Sequence, residues 1–281
     1  MYYILKSFSF VLSKLPTTFI SKFAVFLSFF FYDVLRARRG VVEKNLKIAF
    51  KDKSQDERNR IGRKSYESFI LTFFEFMRGF YHDLGEGVTI EGKEYAHEVL
   101  EQGKGSYVLC FHIGNWEAMG SAITKQIVPS YVLVKKVGSD SVDRFVSEIR
   151  EKNGFLTIKR KKKGEGYLKI VKALDANRMV GFVMDQARTN SPRLPFFGEL
   201  AKTNTSFAAI WLKRPAPIMV SFAIRTGFNQ HTVFFKEPIK IDLSGNDEQD
   251  ILDMSTKFNL IIESVVSKYP EYYFWIHNRW K

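Results

Sequence analysis

Apolar and polar residues follow two different periods along the chain, and these periods predict its elements. Short apolar runs that end at a polar or turn residue are typical of buried strands. Longer segments carry apolar residues at intervals of three and four, which is typical of amphipathic helices. From residue 88 onward the two kinds of segment alternate. This alternation predicts an α/β fold with a mainly parallel central sheet flanked by helices.

The predicted strands cover residues 88–90, 106–111, 131–134, 155–158, 179–184, 217–224 and 231–236, the last two forming a hairpin. The predicted helices cover residues 54–81, 93–102, 116–126, 141–153, 165–177, 203–213 and 247–268. Ser54 and Glu57 have the spacing of a capping box at the start of the first of these helices. Residues 188–203 are predicted to be a long loop. Because no repeat or low-complexity linker interrupts the pattern, we predict a single α/β domain over residues 36–281.

Residues 1–35 form a separate predicted unit, a hydrophobic membrane-associating helix. Apolar residues recur there at helical spacing, namely Phe19, Phe23, Phe26, Phe30 and Val34, with mostly apolar residues between them. A helix that is apolar nearly all round is a membrane or deep-core element. The uncharged stretch between Lys22 and Asp33 is shorter than the roughly 20 residues of a spanning helix. We therefore predict an anchor that lies in the membrane or barely crosses it, with a core helix as the alternative.

Charge and composition narrow the possible partners. The net charge is +13, and the chain has 27 Phe residues. Basic charge with many aromatic residues fits an anionic membrane surface or nucleic acid. No pattern of an RNA-binding domain, zinc finger or helix-turn-helix is present, so we expect no nucleic-acid partner. The single Cys110 excludes an internal disulfide and a multi-cysteine zinc site, and we expect no catalytic metal.

The best candidate for chemistry lies where the strand 106–111 ends. His112 would stand at the carboxyl edge of that strand, where open α/β sheets place their active sites. Gly114 and Asn115 are turn and helix-capping residues, and Glu117 falls in the first turn of the next helix. A carboxylate that accepts from one imidazole nitrogen leaves the other nitrogen free as a base. The alternative is a histidine that only packs at a strand end, with a surface glutamate nearby.

Other polar residues carry weaker expectations. Asp185 ends its strand as His112 does, so we expect both to line one cleft. The basic run at residues 159–163 is typical of a solvated loop, although it could also dock anionic lipid or an acidic carrier protein. Cys110 is expected to be a small buried apolar residue rather than an acyl-accepting thiol. The aromatic ending, residues 270–281, should be docked and buried, with Arg279 paired to a carboxylate or to backbone carbonyls.

The stretch HIGNWE resembles the H-x4-D/E block of the glycerolipid and lipid A acyltransferases. It is similar in particular to the branch that contains the bacterial lipid A late acyltransferases and the mycobacterial phosphatidylinositol-mannoside acyltransferases. The stretches that resemble the other blocks of this branch are residues 38–50, then Asp143, Arg144, Arg150 and Gly154, then Asp185, Gln186, residues 195–198 and residues 201–203, and last residues 270–280. They span nearly the whole chain in the order of the family.

The resemblance implies a membrane-associated O-acyltransferase on the cytoplasmic face of the bacterial inner membrane. An acyl thioester, on acyl carrier protein or coenzyme A, would supply the chain, and no other cofactor is implied. The acceptor would be a hydroxyl of a lipid A precursor or a related glycolipid. The alternatives are another membrane glycolipid or a lysophospholipid as acceptor, or a non-catalytic lipid-binding protein at the membrane.

The resemblance also assigns roles to residues of this sequence. His112 would be the general base, and Glu117 would orient it. The substrate-binding residues would be Gly114, Asn115, Arg150, Asp185 and Arg188. The backbone amides of the turn at Gly114 and Asn115, or a basic side chain, would hold the oxyanion that forms during acyl transfer.

Overall fold

A computed structural model describes residues 1–159, 164–186 and 190–281. Its first four helices are α1 (Tyr2–Lys14), α2 (Thr17–Phe29), α3 (Arg39–Ala49) and α4 (Gln55–Arg78), and a π-helical turn, Phe30–Val34, continues α2. The predicted capping box of α4 is confirmed. Ser54 Oγ accepts from the backbone N–H of Glu57 at 3.2 Å, and the Glu57 carboxylate accepts from the N–H of Ser54 at 2.7 Å.

Strands and helices then alternate as predicted. The strands are β1 (Val88–Glu91), β2 (Ser106–Cys110), β3 (Ser130–Val134), β4 (Leu156–Lys159), β5 (Met179–Val183), β6 (Arg193–Phe196), β7 (Glu199–Lys202), β8 (Ile218–Gly227) and β9 (Gln230–Phe235). The helices between and after them are α5 (Lys93–Glu101), α6 (Trp116–Gln126), α7 (Asp140–Lys152), α8 (Glu165–Asp175), α9 (Ser206–Lys213) and α10 (Asp247–Lys268), and a short 3-10 helix, Pro270–Tyr272, follows α10.

Within the described residues, seven strands form one sheet in the order β1-β9-β8-β2-β5-β3-β4. The neighbours β8-β2-β5-β3-β4 are all parallel, and β9 returns antiparallel to β8 as the predicted hairpin. This confirms the predicted fold, a mainly parallel sheet flanked by helices. Strand β2, which leads to His112, lies in the middle of the sheet.

The prediction of a loop over residues 188–203 is wrong from residue 193 to residue 202. Strands β6 and β7 pair there as an antiparallel hairpin, apart from the main sheet. Its two-residue turn is Phe197 and Gly198, both with positive φ, as a type I′ hairpin turn requires. The buried residues Leu194, Phe196 and Ala201 show the inward and outward alternation of strands. Because residues 188–203 are rich in proline and arginine, their sequence pattern does not indicate this alternation.

Apolar residues on both faces of the sheet are covered by helices. On one face Leu109 and Phe182 pack with residues of α8, α9 and α10. On the other face Val108 and Cys110 pack with residues of α5 and α6. Neighbouring residues of β2 therefore belong to different layers, as expected for a parallel strand that is buried on both sides.

The N-terminal residues 1–35 contain two helices rather than one, because Pro16 separates α1 from α2. Both pack on α4, where Leu12, Ile20 and Ala24 are buried against Phe74. The stretch Thr17–Val34, 18 residues long, could cross a membrane by length and composition, and 22% of it is buried. That residues 1–35 form a unit separate from a domain over residues 36–281 remains a prediction.

Candidate active site

The carboxyl ends of the adjacent strands β2 and β5 bring His112 and Asp185 together. The register pairs Cys110 with Val183, and each of the two polar residues stands two positions further along its strand. Imidazole Nδ1 of His112 lies 2.8 Å from Oδ1 of Asp185, while the backbone N–H of His112 donates to Oδ2 at 3.1 Å. Asp185 thus fixes both the ring and the main chain of His112. The two residues meet as expected, but only His112 is among the lining residues of the cavity described below.

The ionisation of the pair follows from this contact. Burial alone would lower the pKa of His112, but the charge and the hydrogen bond of Asp185 raise it above its ordinary value. Burial alone would raise the pKa of Asp185, yet the contacts with His112 hold it below its ordinary value. With Nδ1 occupied by a carboxylate, Nε2 is the nitrogen that can exchange a proton with a substrate.

The prediction that Glu117 orients His112 is wrong. The Glu117 carboxylate instead forms a two-point ion pair with Arg150 of α7, at 3.0 Å from Nε and 2.5 Å from a terminal nitrogen. Glu117 lies in the first turn of α6, which directs its side chain across to α7. Sequence spacing placed a carboxylate near the histidine, but the strand neighbour Asp185 lies nearer to the ring. Arg150 is half-buried beside the site, where it holds Glu117.

The turn after His112 is held by backbone contacts from three directions. Gly114 donates its N–H to the carbonyl of Tyr272 at 3.0 Å and accepts from Thr72 Oγ1 at 3.0 Å. Its φ is +56°, and an added Cβ would lie 2.0 Å from the carbonyl oxygen of Ala223, so only glycine fits. The expectation that this amide is available to an oxyanion is therefore wrong, because it is already paired.

Asn115 is fully buried and its whole side chain is engaged. Its Oδ1 caps α6 by accepting from the N–H groups of Glu117 and Ala118 at 3.1 and 2.9 Å, as predicted for an N-cap. Its Nδ2 donates to Glu75 at 2.7 Å. Asn115 therefore supports the site rather than facing a substrate.

Sequence reasoning missed the buried polar network that begins at Glu75. This carboxylate also pairs with Arg225 and accepts from the N–H of Asn229 at 2.8 Å, while Arg225 donates to Thr72 at 3.0 Å. The signal was present as polar residues on the buried face of an otherwise aromatic helix, namely Ser65, Ser68, Thr72, Glu75 and Arg78. Two of them, Thr72 and Glu75, hold the turn that follows the histidine.

A cavity of about 340 Å³ opens beside His112 and extends beneath the sheet, between β2, β3, β5 and α6. The lining residues that interact with His112 are Trp116, Glu117, Arg150 and Gln186, and Asn204 also lines the cavity. Its deeper wall is mainly apolar and includes Val108, Met119, Ile123, Phe155, Met179 and Gly181. Phe155 is the one phenylalanine among these lining residues. The phenylalanines of α4 mostly pack elsewhere.

Burial sets the ionisation of two further side chains, Cys110 and His277. Cys110 lines the cavity, but burial raises the pKa of its thiol to about 12, so the thiol stays protonated, and it donates to the carbonyl of Phe182. This fits a buried apolar role rather than an acyl-accepting one. His277 has its pKa lowered to about 4, mainly by burial, and is neutral near pH 7. Arg188 lies outside the described residues. In the basic run, residues 160–163 do as well, and Lys159 pairs with Asp143 at 2.8 Å.

The C-terminal segment is docked as predicted and reaches the site itself. Tyr273, Trp275 and Trp280 are buried, while Phe274 and Ile276 are half-buried. The N–H of Phe274 donates to the carbonyl of His112 at 3.0 Å. Arg279 is buried and donates to the carbonyl of Lys202 at 2.5 Å and to Asn259 at 2.9 Å, so the expected pairing with a backbone carbonyl is confirmed.

Comparison with known proteins identifies the family of the chain. A model of the family described as bacterial lipid A biosynthesis acyltransferase matches residues 1–281. The chain is 24% identical over 257 residues to the lipid A biosynthesis palmitoleoyltransferase of Escherichia coli strain K12, over 88% of this chain and 80% of that protein. It shows the same identity and coverage with the lipid A biosynthesis acyltransferase of Shigella flexneri. Since the family model spans the whole chain, the protein belongs to the bacterial lipid A biosynthesis acyltransferase family.

Proposed function

We propose that the protein moves a fatty acyl chain from an acyl thioester to a hydroxyl of a lipid A precursor. One observation carries this proposal. His112 borders an apolar cavity beside the sheet, and its Nδ1 is held by Asp185, which leaves Nε2 for a substrate. An apolar cavity next to a buried base suits a reaction that joins a hydrocarbon chain to a polar acceptor.

In the proposed reaction, Nε2 of His112 removes the proton of the acceptor hydroxyl. The hydroxyl oxygen attacks the thioester carbonyl carbon, and the carbonyl oxygen takes the negative charge. When the intermediate collapses, the carbon–sulfur bond breaks and the departing thiolate takes the proton back from His112. The products are an ester and a free thiol. The neighbouring Asp185 carboxylate stabilises the imidazolium between the two proton transfers.

The cavity would hold the acyl chain of the donor. Its volume is about 340 Å³. This volume falls within the range of roughly 300–1,000 Å³ that is usual for ligand pockets. Trp116 lies against the His112 ring, with centroids 4.8 Å apart, at the junction between the cavity and the imidazole. A chain in the cavity would therefore present its thioester carbon to His112.

The partners and location follow from the same proposal. The donor would be an acyl thioester of acyl carrier protein or of coenzyme A, and the reaction needs no further cofactor. The net charge of +13 suits an anionic membrane surface and an acidic carrier. Both relatives are named for lipid A biosynthesis, which supports a lipid A precursor as acceptor and the cytoplasmic face of the bacterial inner membrane as location.

The first prediction tests the reaction with purified protein in lipid vesicles. The donors are dodecanoyl thioesters of acyl carrier protein and of coenzyme A. The acceptors are a lipid A precursor with free hydroxyl groups on its acyl chains and, separately, a lysophospholipid. Mass spectrometry should show one dodecanoyl group added to the lipid A precursor. His112→Ala should lower the rate by roughly 10²- to 10⁴-fold, because it removes the general base.

The matched control is His97→Ala, which removes an exposed histidine of α5 and should leave the rate unchanged. Addition to the lysophospholipid alone would replace the acceptor proposed here with the alternative one. If the folded protein transfers no chain from either donor to either acceptor, a non-catalytic lipid-binding role takes its place.

A further inference from the structure

The proposed reaction places negative charge on the carbonyl oxygen of the thioester, and that charge needs a hydrogen-bond donor. Several of the donors near His112 are already engaged. The N–H of Gly114 is paired with Tyr272, and those of Glu117 and Ala118 are paired with the Asn115 cap. The guanidinium of Arg150 is paired with Glu117 at two points.

Asn204 is a polar side chain of the cavity wall whose orientation is fixed. It lies just before α9 and is 9% exposed. Its Oδ1 accepts from the backbone N–H of Ser206 at 3.1 Å and from the hydroxyl of Ser206 at 2.6 Å. Because a backbone N–H can only donate, the atom facing it must be the oxygen of the amide. The Nδ2 group therefore points away from α9.

The geometry points to Asn204 as the donor to the oxyanion, an inference that rests on the proposed function. In the part of the chain that the structure describes, Nδ2 of Asn204 donates to no protein acceptor, although the residue is about nine-tenths buried. It borders the same cavity as His112. A carboxamide N–H in such a place can bind the carbonyl oxygen of the thioester as charge develops on it.

The other carboxamide of the cavity wall is less suited to this role. Gln186 Nε2 lies 3.4 Å from Nδ1 of His112, which is the nitrogen that faces Asp185. Attack on the carbonyl takes place at the opposite nitrogen, Nε2, where the acceptor hydroxyl binds. Gln186 therefore stands on the Asp185 side of the ring, and Asn204 remains the better-placed amide.

The second prediction uses Asn204→Asp and Asn204→Ser in the full-length protein. Aspartate and serine both keep an oxygen that can accept from Ser206 at the start of α9, but neither has an amide N–H. With the dodecanoyl thioester and the lipid A precursor, both variants should lose roughly 10²- to 10³-fold in kcat, the size of effect seen when one oxyanion donor is removed. The KM for the thioester should change little, because the donor acts mainly in the transition state.

The matched control is Asn246→Asp, which changes an asparagine that caps α10 far along the chain and should leave kcat unchanged. If Asn204 only holds Ser206 at the start of α9, both Asn204 variants will keep kcat within about threefold of the wild type, because each keeps a side-chain oxygen that can accept from Ser206. The assignment would also be overturned if the loss of kcat in each Asn204 variant equalled its loss of folded protein, measured by thermal unfolding. Acyl transfer by the wild type and by Asn246→Asp supports the proposed function whatever the Asn204 variants do. If the wild type transfers no acyl chain, both proposals are overturned.

Discussion

At the scale of single residues, the site depends on a carboxylate that the chain supplies from a neighbouring strand. Asp185 accepts from both the ring and the backbone N–H of His112, and it is almost fully buried. A buried carboxylate at that position does two things. It selects the tautomer that leaves Nε2 unprotonated, and it raises the pKa of the imidazole.

The third prediction follows from the sign of this pKa shift. A base works only when it is unprotonated, so wild-type kcat/KM should fall as the pH falls through the raised pKa of His112, above its ordinary value of 6.5. Asp185→Asn removes the negative charge that raises this pKa. The acid limb should therefore move to lower pH, while the plateau falls by roughly 10²- to 10⁴-fold because the tautomer is no longer fixed.

The measurement is the pH dependence of kcat/KM for acyl transfer. Asp175→Asn is the control, since Asp175 is exposed and pairs with Arg214, away from the cavity, so the limb should stay in place. An acid limb that keeps its position in Asp185→Asn, or moves to higher pH, would show that Asp185 does not govern the ionisation of His112.

The sequence was sufficient to predict the histidine and its place at the end of a strand. It also showed that Asp185 ends a strand in the same way. It could not show that these two strands are neighbours, because β2 and β5 are separated in sequence by β3, β4 and three helices. Spacing in the sequence favours Glu117 as the partner of His112. The first turn of α6 instead directs the Glu117 side chain to Arg150.

At the scale of elements, two segments hold the turn that carries the chemistry. Helix α4 contacts it through Thr72 and Glu75, and the C-terminal segment contacts it through Tyr272 and Phe274. Both act on backbone or buried polar groups, whose loss of a partner costs about 1–3 kcal/mol each. The sequence predicts the helices of the α/β alternation nearly to their ends. It does not predict the contacts of α4 and of the C-terminal segment with the turn, because these depend on tertiary packing.

The fourth prediction concerns the packing of the C-terminal segment. Trp275 is 1% exposed and contacts Phe50, Phe197 and Tyr273. Trp275→Ala should lower the free energy of unfolding by about 3–5 kcal/mol, the range found for large aromatic residues in cores. Urea unfolding followed by circular dichroism measures this change.

The control is Leu260→Ala on α10, because this leucine is exposed and should change stability by less than about 0.5 kcal/mol. A Trp275→Ala protein that is as stable as the wild type but inactive would give the segment a direct role in the reaction instead of a structural one.

At the scale of the whole molecule, one side of the N-terminal helices exposes apolar rings. These include Phe8, Phe10, Phe19, Phe23, Phe26 and Phe29, and Phe73 of α4 and Tyr81, which follows α4, are also exposed. The opposite side is fastened to the body of the protein. Arg78 donates to the carbonyls of Leu12 and Leu15 at 2.6 and 2.9 Å, and Arg63 pairs with Asp33 at 2.6 Å. A helix fastened along one side cannot cross a bilayer alone, so we expect α1 and α2 to lie in the membrane surface with their rings inserted.

The last prediction tests this orientation with the double variant Phe19→Ser and Phe26→Ser. Both rings are a little more than half exposed, so their removal should leave the fold intact. Losing them from the lipid should cost about 2–3 kcal/mol, given the usual value of roughly 1.5–3 kcal/mol for burying a whole ring. Partitioning into anionic vesicles, measured by sedimentation, should weaken by on the order of 10²-fold.

Leu168→Ser is the matched control, because this leucine of α8 is 60% exposed but lies outside the N-terminal face. Its partitioning should equal that of the wild type if insertion is confined to α1 and α2. High salt should weaken the residual binding of the double variant more than that of the wild type, since basic residues would then supply most of the attraction and their field is screened. If the double variant partitions into vesicles as strongly as the wild type even in high salt, another surface of the molecule binds the membrane.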